Sequence, residues 1–417
     1  MQSYNVKLLW FVILGVLTGL GATVFGDDWT LYRFEGRDYV SLENIAAFYG
    51  FPAPPALDPA LLNPGKPAAP APTPAPAPPA STAPTTPPAP APGTPAPTAA
   101  ATPPAPATGE VPADAGTSAA PSTDSKAIRL DNGRSQLAFT PNGRETEING
   151  VKQWLAFPAI VQNGKLLISR LDLAKTIEPR LRPDKVTGLQ PVTTVVLDPG
   201  HGGHDNGAVS RYGFEKDFAL DVALRARQIL EKRGFKVVMT RSADIFIPLH
   251  ERAAVANHIA DSIFVSIHFN SATSNPLARG FEIYSCAPRG APATNDGAFS
   301  VRDLRDEPGN AMDTQSAVLS GTIFHSLLGH VPFPDRGIKH ARFAVLRLCS
   351  QPAVLVECGF VSNAADSSLI ATPAWREQVA ASIVTGIEGF KELAELHQAP
   401  KMVADYRKAD AVGNTAQ

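Results

Sequence analysis

Three short apolar runs in the second half of the chain each end at a residue that can bind a metal ion. These runs are Val195 to Gly203 (V-V-L-D-P-G-H-G-G), Phe264 to Asn270 (F-V-S-I-H-F-N) and Pro352 to Phe360 (P-A-V-L-V-E-C-G-F). Side chains at the carboxyl ends of strands in an α/β sheet meet at one edge, where such folds place their ligands. We therefore expect His201, His268 and Glu357 to lie in one cleft.

The residue types in this cluster indicate a catalytic zinc site. Two imidazoles and a carboxylate hold zinc and leave one position for water. Glu215, in the loop after the first strand, adds a second carboxylate, although a glutamate there is also a favourable charge in a first helical turn. Glu357 ends an apolar strand, so its burial indicates either a general base that moves a proton or a buried salt bridge.

Several other residues near the cluster have alternative interpretations. Asp198 is either a hydrogen-bond acceptor that orients a ligating histidine or a residue that begins a turn. His204 lies near enough in sequence to compete with His201 as a ligand. His330 and His340 flank a proline-rich turn at 332–337 and are candidates to line the cleft. The chain has no H-E-x-x-H sequence, so the helix-based zinc protease arrangement is excluded.

From residue 192 onward, predicted strands alternate with predicted helices, which is typical of an α/β fold. The strands are predicted near 194–198, 236–240, 263–267, 281–284, 344–346 and 353–356. The helices are predicted near 216–233, 249–260, 316–328 and 374–393. The polar stretch 286–315 is predicted to be a loop.

The chain before this domain is divided by a proline-rich linker. Of the 40 prolines, 24 fall between Pro52 and Pro121. A Pro/Ala/Thr-rich segment such as 52–125 cannot bury enough apolar surface to fold, so we predict a disordered linker there. Residues 396–417 are predicted to be a flexible tail.

A short internal repeat lies on either side of the linker. Gly36 to Ala46 and Gly164 to Ala174 each read as a turn, a strand and a serine N-cap before a short helix. The repeat resembles the stalk-type modules of copper amine oxidase N-terminal domains. The resemblance implies that 27–51 and 126–182 form one small α+β module with a binding or spacing role.

The N-terminus indicates export. Lys7 precedes an apolar stretch from Leu8 to Phe25 that contains several small residues, which is typical of a signal peptide over 1–26. An uncleaved membrane anchor is the alternative, because the 18 residues of this stretch are near the lower limit for spanning a bilayer. We expect the protein in the periplasm or cell envelope, with membrane contact only if the segment is uncleaved. The net charge of -2 gives no indication of a nucleic-acid partner, and the three cysteines are expected to be buried thiols.

Several separated motifs over roughly residues 192–393 resemble those of the type 3 N-acetylmuramoyl-L-alanine amidases. They are the three apolar runs above, Phe214-Glu215-Lys216, Thr240-Arg241, Arg336-Gly337-Ile338-Lys339 and Phe343 to Arg347. The resemblance implies a catalytic domain over 192–395 with a mixed, mostly parallel sheet of about six strands flanked by helices. It also implies that zinc is bound by His201, Glu215 and His268, with Glu357 as the catalytic carboxylate.

The resemblance further implies hydrolysis of the amide bond between N-acetylmuramic acid and L-alanine in peptidoglycan, for cell-wall remodelling or daughter-cell separation. Asn270 and Arg347 are candidate substrate-binding residues, with a turn residue and a surface charge as their respective alternatives. Some family members carry a helix that blocks the zinc until a partner displaces it, so a divisome or envelope activator is a candidate partner. Because 286–315 reads as a loop, we expect no strong self-inhibition; the alternative is a short helix over Arg302 to Glu307 from which Glu307 blocks the zinc. A zinc peptidase acting on wall peptides and a non-catalytic peptidoglycan-binding module are the alternative functions.

Overall fold

The computed structural model describes residues 3–4, 29–58 and 127–396, apart from residue 297. Apart from residues 3–4, the predicted signal peptide or anchor lies outside the described residues, as do most of the proline-rich linker and nearly all of the predicted tail. Within these described ranges, none of the helices combines the length and apolar character that a membrane crossing requires.

The strands are numbered along the chain. They are β1 Ser3–Tyr4, β2 Leu31–Phe34, β3 Arg37–Ser41, β4 Ile128–Asp131, β5 Gln136–Phe139, β6 Glu145–Ile148, β7 Val151–Trp154, β8 Ile160–Gln162, β9 Lys165–Ser169, β10 Thr194–Pro199, β11 Val209–Ser210, β12 Gly213–Phe214, β13 Lys236–Met239, β14 Ser262–Asn270, β15 Phe281–Cys286, β16 Asp335–Ala341 and β17 Ala353–Phe360.

The helices are numbered in the same way. They are α1 Leu42–Tyr49, α2 Arg170–Asp172, α3 Glu178–Leu181, α4 Glu215–Lys232, α5 Leu249–Asn257, α6 Asp313–His330, α7 Ala344–Arg347, α8 Ala364–Ile370 and α9 Pro373–Leu396. A π-helical segment, Leu173–Ile177, joins α2 to α3, and 3₁₀ helices cover Pro183–Lys185, Val301–Leu304 and Pro308–Met312.

The amidase-like half of the chain contains a sheet in the order β13-β10-β14-β17-β15-β16. The first four of these strands are parallel, β15 is antiparallel to β17, and β16 is parallel to β15. This confirms the predicted α/β class with a mixed, mostly parallel sheet of six strands. Alternate residues of β10 face opposite sides: Val195 and Leu197 pack toward α4, and Val196 packs toward α5. Helices therefore cover both faces, as the continuous apolar strands require.

Two local predictions are wrong. Residues 344–346 were expected to be a strand, but α7 occupies them, because Val345 and Leu346 lie next to each other on one buried turn rather than on opposite faces of a sheet. The segment predicted as a turn at 332–337 leads into β16 instead, which pairs with β15 from Asp335 onward. Pro332, Pro334 and Gly337 are typical of turns, so the sequence pattern did not indicate a strand here.

The N-terminal segments share one core with each other. Strand β3 pairs antiparallel with β9. The serines of the two repeats are equivalent, since Ser41 and Ser169 each accept a hydrogen bond from a backbone N–H of the helix that follows. Leu42 and Ile45 on one side of the linker pack in the same cluster as Ile168 and Leu173 on the other.

The large sheet does not end at β16, which the sequence did not indicate. It continues through β7-β6-β5-β4 of the N-terminal segment to give ten strands. The junction is the pairing of Ile338 with Gln153, supported by a hydrogen bond from the Trp154 indole to the Arg336 carbonyl oxygen at 3.2 Å. The N-terminal segment therefore packs directly against a strand of the amidase-like half.

All three cysteines are buried free thiols, as expected. Burial raises the pKa of Cys286 and of Cys349 to about 12. Neither thiol is therefore ionised near neutral pH, which makes a redox role unfavourable.

His340 lies between the two halves of the structure rather than in the cleft. Its ring nitrogens lie 3.4 Å from Thr176 Oγ1 and 3.2 Å from Ser285 Oγ. Burial, together with the charges of Arg180, Arg144 and Arg342, lowers the pKa of His340 to about 4. The histidine is thus neutral in the folded protein at physiological pH.

This neutral histidine is expected to make the fold sensitive to acid. Between pH 6.5 and about 4 the unfolded chain binds a proton at His340 that the folded chain does not, so the free energy of unfolding falls as the pH drops. Glutamine does not titrate, so this contribution is absent in His340→Gln. Between pH 7 and pH 4 we expect the free energy of unfolding, measured by urea denaturation, to fall by about 3 kcal/mol less in His340→Gln than in wild type. His325→Gln, an exposed control on α6, should behave as wild type; an unchanged pH dependence in His340→Gln would contradict the assignment.

Candidate metal centre

The ends of β10, β14 and β17 and the start of α4 converge at one edge of the sheet. His201 follows β10, His268 lies in β14 and Glu215 is the first residue of α4. Glu215 Oε1 lies 3.0 Å from both His201 Nε2 and His268 Nδ1. One ligand atom from each of the three residues lies within 4.8 Å of the others. The three residues therefore form a compact two-nitrogen, one-oxygen cluster that can hold a metal ion.

Backbone geometry forces His201 into this cluster. Its φ is 59°, in the left-handed region that non-glycine residues seldom adopt, and such conformations are commonly retained at functional sites. A Cβ atom on Gly200 would lie 2.4 Å from His268 Cε1, and one on Gly207 would lie 2.6 Å from Glu215 Oε2. Both positions therefore have to be glycine for the three ligands to approach one another.

The acid that orients His201 is Asp205, not Asp198. Asp205 Oδ2 lies 2.8 Å from His201 Nδ1. Asp198 instead accepts hydrogen bonds from Thr240, Arg252 and Ser266 and is completely buried. Both sequence-based interpretations of Asp198 are therefore wrong, since it neither begins a turn nor contacts the histidine. Asp198 is a buried carboxylate whose hydrogen bond to Arg252 joins β10 to α5.

The protonation of the cluster follows from these contacts. Burial lowers the pKa of His201, but hydrogen bonds to Asp205 and Glu215 outweigh it and raise that pKa to about 10. Burial likewise raises the pKa of Glu215, but hydrogen bonds from His201 and His268 hold it well below its ordinary value. Glu215 is therefore an anion. In the absence of a metal ion, a proton on His201 supplies the positive charge that pairs with it. A metal ion would displace that proton.

Glu357 lies beside the cluster in a different environment. It is opposite His268 in the parallel pairing of β14 with β17, and opposite Glu282 in the antiparallel pairing of β15 with β17. Burial, followed by the negative charges of Glu215 and Glu282, raises its pKa well above the ordinary value. Its Oε2 atom is buried and has no hydrogen-bond partner among the described residues. A buried oxygen without a partner indicates a group that acts on something absent from the protein itself.

Glu282 is a residue that sequence reasoning missed. It is fully buried and accepts hydrogen bonds from Asn270, Tyr284, Arg336 and Lys339 at 2.6 to 3.0 Å. These donors outweigh burial and keep its pKa below the ordinary value, so a permanent anion lies across the strand pair from Glu357. The signal was a glutamate within the otherwise apolar run Phe281 to Tyr284, where an unpaired carboxylate would be costly.

The remaining predicted site residues do not belong to the three-residue cluster, and each has its own contacts. Asn270 is half-buried at the end of β14, and its amide nitrogen donates to Glu282 at 2.7 Å. Arg347 ends α7, where its guanidinium pairs with Glu307 at 3.4 Å. His204 is exposed and stacks on Phe246 with ring centroids 4.3 Å apart, so it is not part of the ligand cluster. His330 is hydrogen-bonded to Ser326 within α6.

A methyl group at Gly200 is expected to disrupt the cluster selectively. In Gly200→Ala the new Cβ would overlap the His268 ring and push it away from Glu215. We expect zinc affinity to fall by about 100-fold, comparable to the larger effects seen when ligand orientation is lost. Competition titration with a chromogenic chelator measures this. Gly329→Ala, where nothing lies within 4 Å of the added atom, is the matched control, and equal affinities for the two variants would contradict the geometry.

Comparison with known proteins identifies the family of this chain. Residues 195–389 match the family model for N-acetylmuramoyl-L-alanine amidases. The chain is 35% identical over 243 residues to the amidase AmiA of Escherichia coli, covering 53% of this chain and 83% of that protein. It is 35% identical over 240 residues to the amidase AmiC of Neisseria meningitidis, covering 52% of this chain and 57% of that protein.

Solved structures include similar chains. The amidase AmiC2 of Nostoc punctiforme shares 32% sequence identity, with a TM-score of 0.40, over 48% of this chain and 97% of that chain. The family-model match falls on the part of the chain that carries β10 to α9, and the relative from Escherichia coli is covered over more than four fifths of its length. The chain therefore belongs to the N-acetylmuramoyl-L-alanine amidase family.

Proposed function

We propose that this chain is a zinc-dependent peptidoglycan amidase that hydrolyses the amide bond between the lactyl group of N-acetylmuramic acid and L-alanine. The observation that carries the proposal is the buried, partnerless oxygen of Glu357 beside the His201, Glu215 and His268 cluster. Family membership supports the amidase activity. The physiological role that we propose is cell-wall remodelling or daughter-cell separation, outside the cytoplasm.

The residues present fit a catalytic zinc ion. Two imidazole nitrogens and one carboxylate oxygen are the ligand types that zinc accepts, and three protein ligands leave a position open. Asp205 orients one of the imidazoles, as acids commonly do for ligating histidines. When bound, zinc would polarise the scissile carbonyl and activate water for attack.

Glu357 is proposed to move the proton. Its raised pKa suits a group that both accepts and donates a proton near neutral pH. It takes a proton from the attacking water and delivers it to the nitrogen of L-alanine as the bond between that nitrogen and the lactyl carbonyl carbon breaks. The products are a free lactyl carboxyl group on the glycan and a stem peptide with a free N-terminal alanine.

Asn270 and Arg347 remain proposed substrate contacts. Asn270 lies two residues after His268 and is only half-buried, so part of its amide is accessible. The Arg347 side chain is 36% exposed, and its charge suits the carboxylates of a stem peptide.

We also propose that the segment before α6 does not inhibit the site strongly, although an envelope activator remains a candidate partner. Glu307 pairs with Arg347 and forms reciprocal capping hydrogen bonds with Asn310. These contacts direct the carboxylate toward α7 and its own 3₁₀ helix, and it is absent from the described group of metal-capable residues.

Product analysis of digested peptidoglycan tests the function. The amidase proposal predicts stem peptides that begin with free L-alanine, together with uncut glycans that carry free lactyl groups. Cleavage within the stem peptide would instead support a zinc peptidase, and binding without any new products would support a non-catalytic wall-binding module.

A further inference from the structure

Large apolar side chains are exposed on two loops next to the metal centre. Tyr212 and Phe214 belong to the β11–β12 hairpin, with exposures of 40% and 38%. Ile245 and Phe246 belong to the loop before α5, with exposures of 49% and 40%. We call these four residues the aromatic rim. Exposed apolar groups that cluster in this way commonly mark a binding surface.

The aromatic rim lies next to two of the proposed metal ligands, Glu215 and His201. The hairpin runs directly into Glu215, which follows Phe214. The second loop packs on the glycines after His201, since a Cβ on Gly202 would lie 2.1 Å from the Ile245 carbonyl oxygen. A molecule that contacts the rim is therefore adjacent to the reaction centre.

One lysine joins the two halves of the rim. Lys216 Nζ donates to Asp244 at 2.9 Å and to the carbonyl oxygen of Gly203 at 2.7 Å. The same ammonium lies 5.7 Å from the centroid of the Phe214 ring. The hairpin and the loop therefore form one continuous surface in which rings alternate with charged and hydrogen-bonding groups.

We propose that the aromatic rim binds the glycan strand of peptidoglycan, an inference that rests on the proposed function. The scissile amide is attached to a sugar through one lactyl group, so a sugar ring has to lie close to the metal centre during the reaction. Sugar rings offer flat C–H faces that pack on aromatic rings, and hydroxyl groups that bond to neighbouring charges. The exposed Asp244 and Arg211 supply those charges.

The composition of the surface favours a sugar over other occupants. A protein or lipid partner would favour a continuous apolar area, whereas the rings here are separated by an ion pair. The three rings are also partly exposed, and the one ring that stacks, Phe246, does so on the exposed His204, so they bind a ligand without first rearranging the core.

Glycan strands freed of stem peptides test the proposal, because they contain sugar alone and cannot be hydrolysed by an amidase. We expect the full chain to bind these strands, and the double variant Phe214→Ala/Phe246→Ala to bind roughly tenfold or more weakly in co-sedimentation. Phe214→Trp/Phe246→Trp should retain binding, because it keeps both ring faces. The KM for intact peptidoglycan should rise in the alanine variant more than kcat falls.

Leu396→Ala is the matched control. Leu396 is 76% exposed, and the ion pair of Arg233 with Glu388 places the last turns of α9 at the far end of α4 from Glu215. Binding of the alanine double variant within twofold of wild type, with unchanged melting temperature, would overturn the inference. Failure of the function is separate: a wild-type chain that releases no stem peptides would refute the amidase proposal whatever the variants bind.

Discussion

Replacing Glu357 with glutamine is expected to lower the rate of stem-peptide release by about 10³-fold, within the range found for loss of a general acid–base group. Glutamine keeps the size of the side chain but cannot accept the proton of the attacking water. The three proposed metal ligands, His201, Glu215 and His268, are untouched, so zinc content should stay the same. The loss should therefore appear in kcat rather than in metal binding.

The melting temperature of Glu357→Gln distinguishes a loss of catalysis from a loss of folding. Glu357 is buried near Glu215 and Glu282, whose negative charges oppose its ionisation. Removing its charge is therefore not expected to destabilise the fold, and the melting temperature should stay within a few degrees of wild type. Glu147→Gln, in β6 of the N-terminal segment, is a matched control that should release peptides at the wild-type rate. Activity retained in Glu357→Gln would remove this residue from the mechanism.

Replacing His201 with alanine is expected to abolish both zinc binding and hydrolysis. The change removes the imidazole that lies 3.0 Å from Glu215 and leaves only two protein ligands. We expect zinc affinity to fall by more than about 100-fold, and the rise in melting temperature that zinc gives the wild type to disappear. Calorimetric titration and thermal melting in the presence of zinc measure these effects independently of catalysis.

An exposed histidine provides the control for this change. His250→Ala, near the start of α5 with its side chain 73% exposed, should bind zinc and hydrolyse peptidoglycan as wild type does. If His201→Ala retained full zinc affinity, the cluster described here would not be the metal site.

The sequence predicts that His201, Glu215 and His268 lie close together, as the structure shows, because their positions are set by short-range rules. His201 follows β10 and His268 lies near the carboxyl end of β14, and parallel strands bring their carboxyl ends to the same edge of a sheet. The helix that begins at Glu215 is also a local feature, visible in the periodic spacing of its apolar residues. Four positions far apart in sequence could therefore be placed together without a structure.

What the sequence could not predict depends on non-local packing. Asp198 and Asp205 are both close to His201 in sequence, and donors at least forty residues away along the chain, Thr240, Arg252 and Ser266, hold Asp198 away from the histidine. The anion at Glu282 depends on Arg336 and Lys339 from β16, a strand whose sequence pattern is obscured by Gly337 and by the prolines that precede it. The extension of the sheet depends on one pairing, Ile338 with Gln153, between segments almost two hundred residues apart.

These non-local contacts connect the N-terminal segment to the proposed reaction centre. Gly337 packs against Lys152 and Trp154 of β7, while its neighbours Arg336 and Lys339 bond to Glu282. Glu282 in turn lies across from Glu357. The strand that carries the two cations is therefore held on one side by the N-terminal segment and on the other by the site.

The zinc content of the purified full chain, measured together with its activity before and after chelation, tests the central claim most directly. We predict one zinc ion per chain, loss of stem-peptide release when the metal is removed, and recovery when zinc is added back. A preparation that holds no stoichiometric metal and still releases peptides beginning with L-alanine would contradict the account.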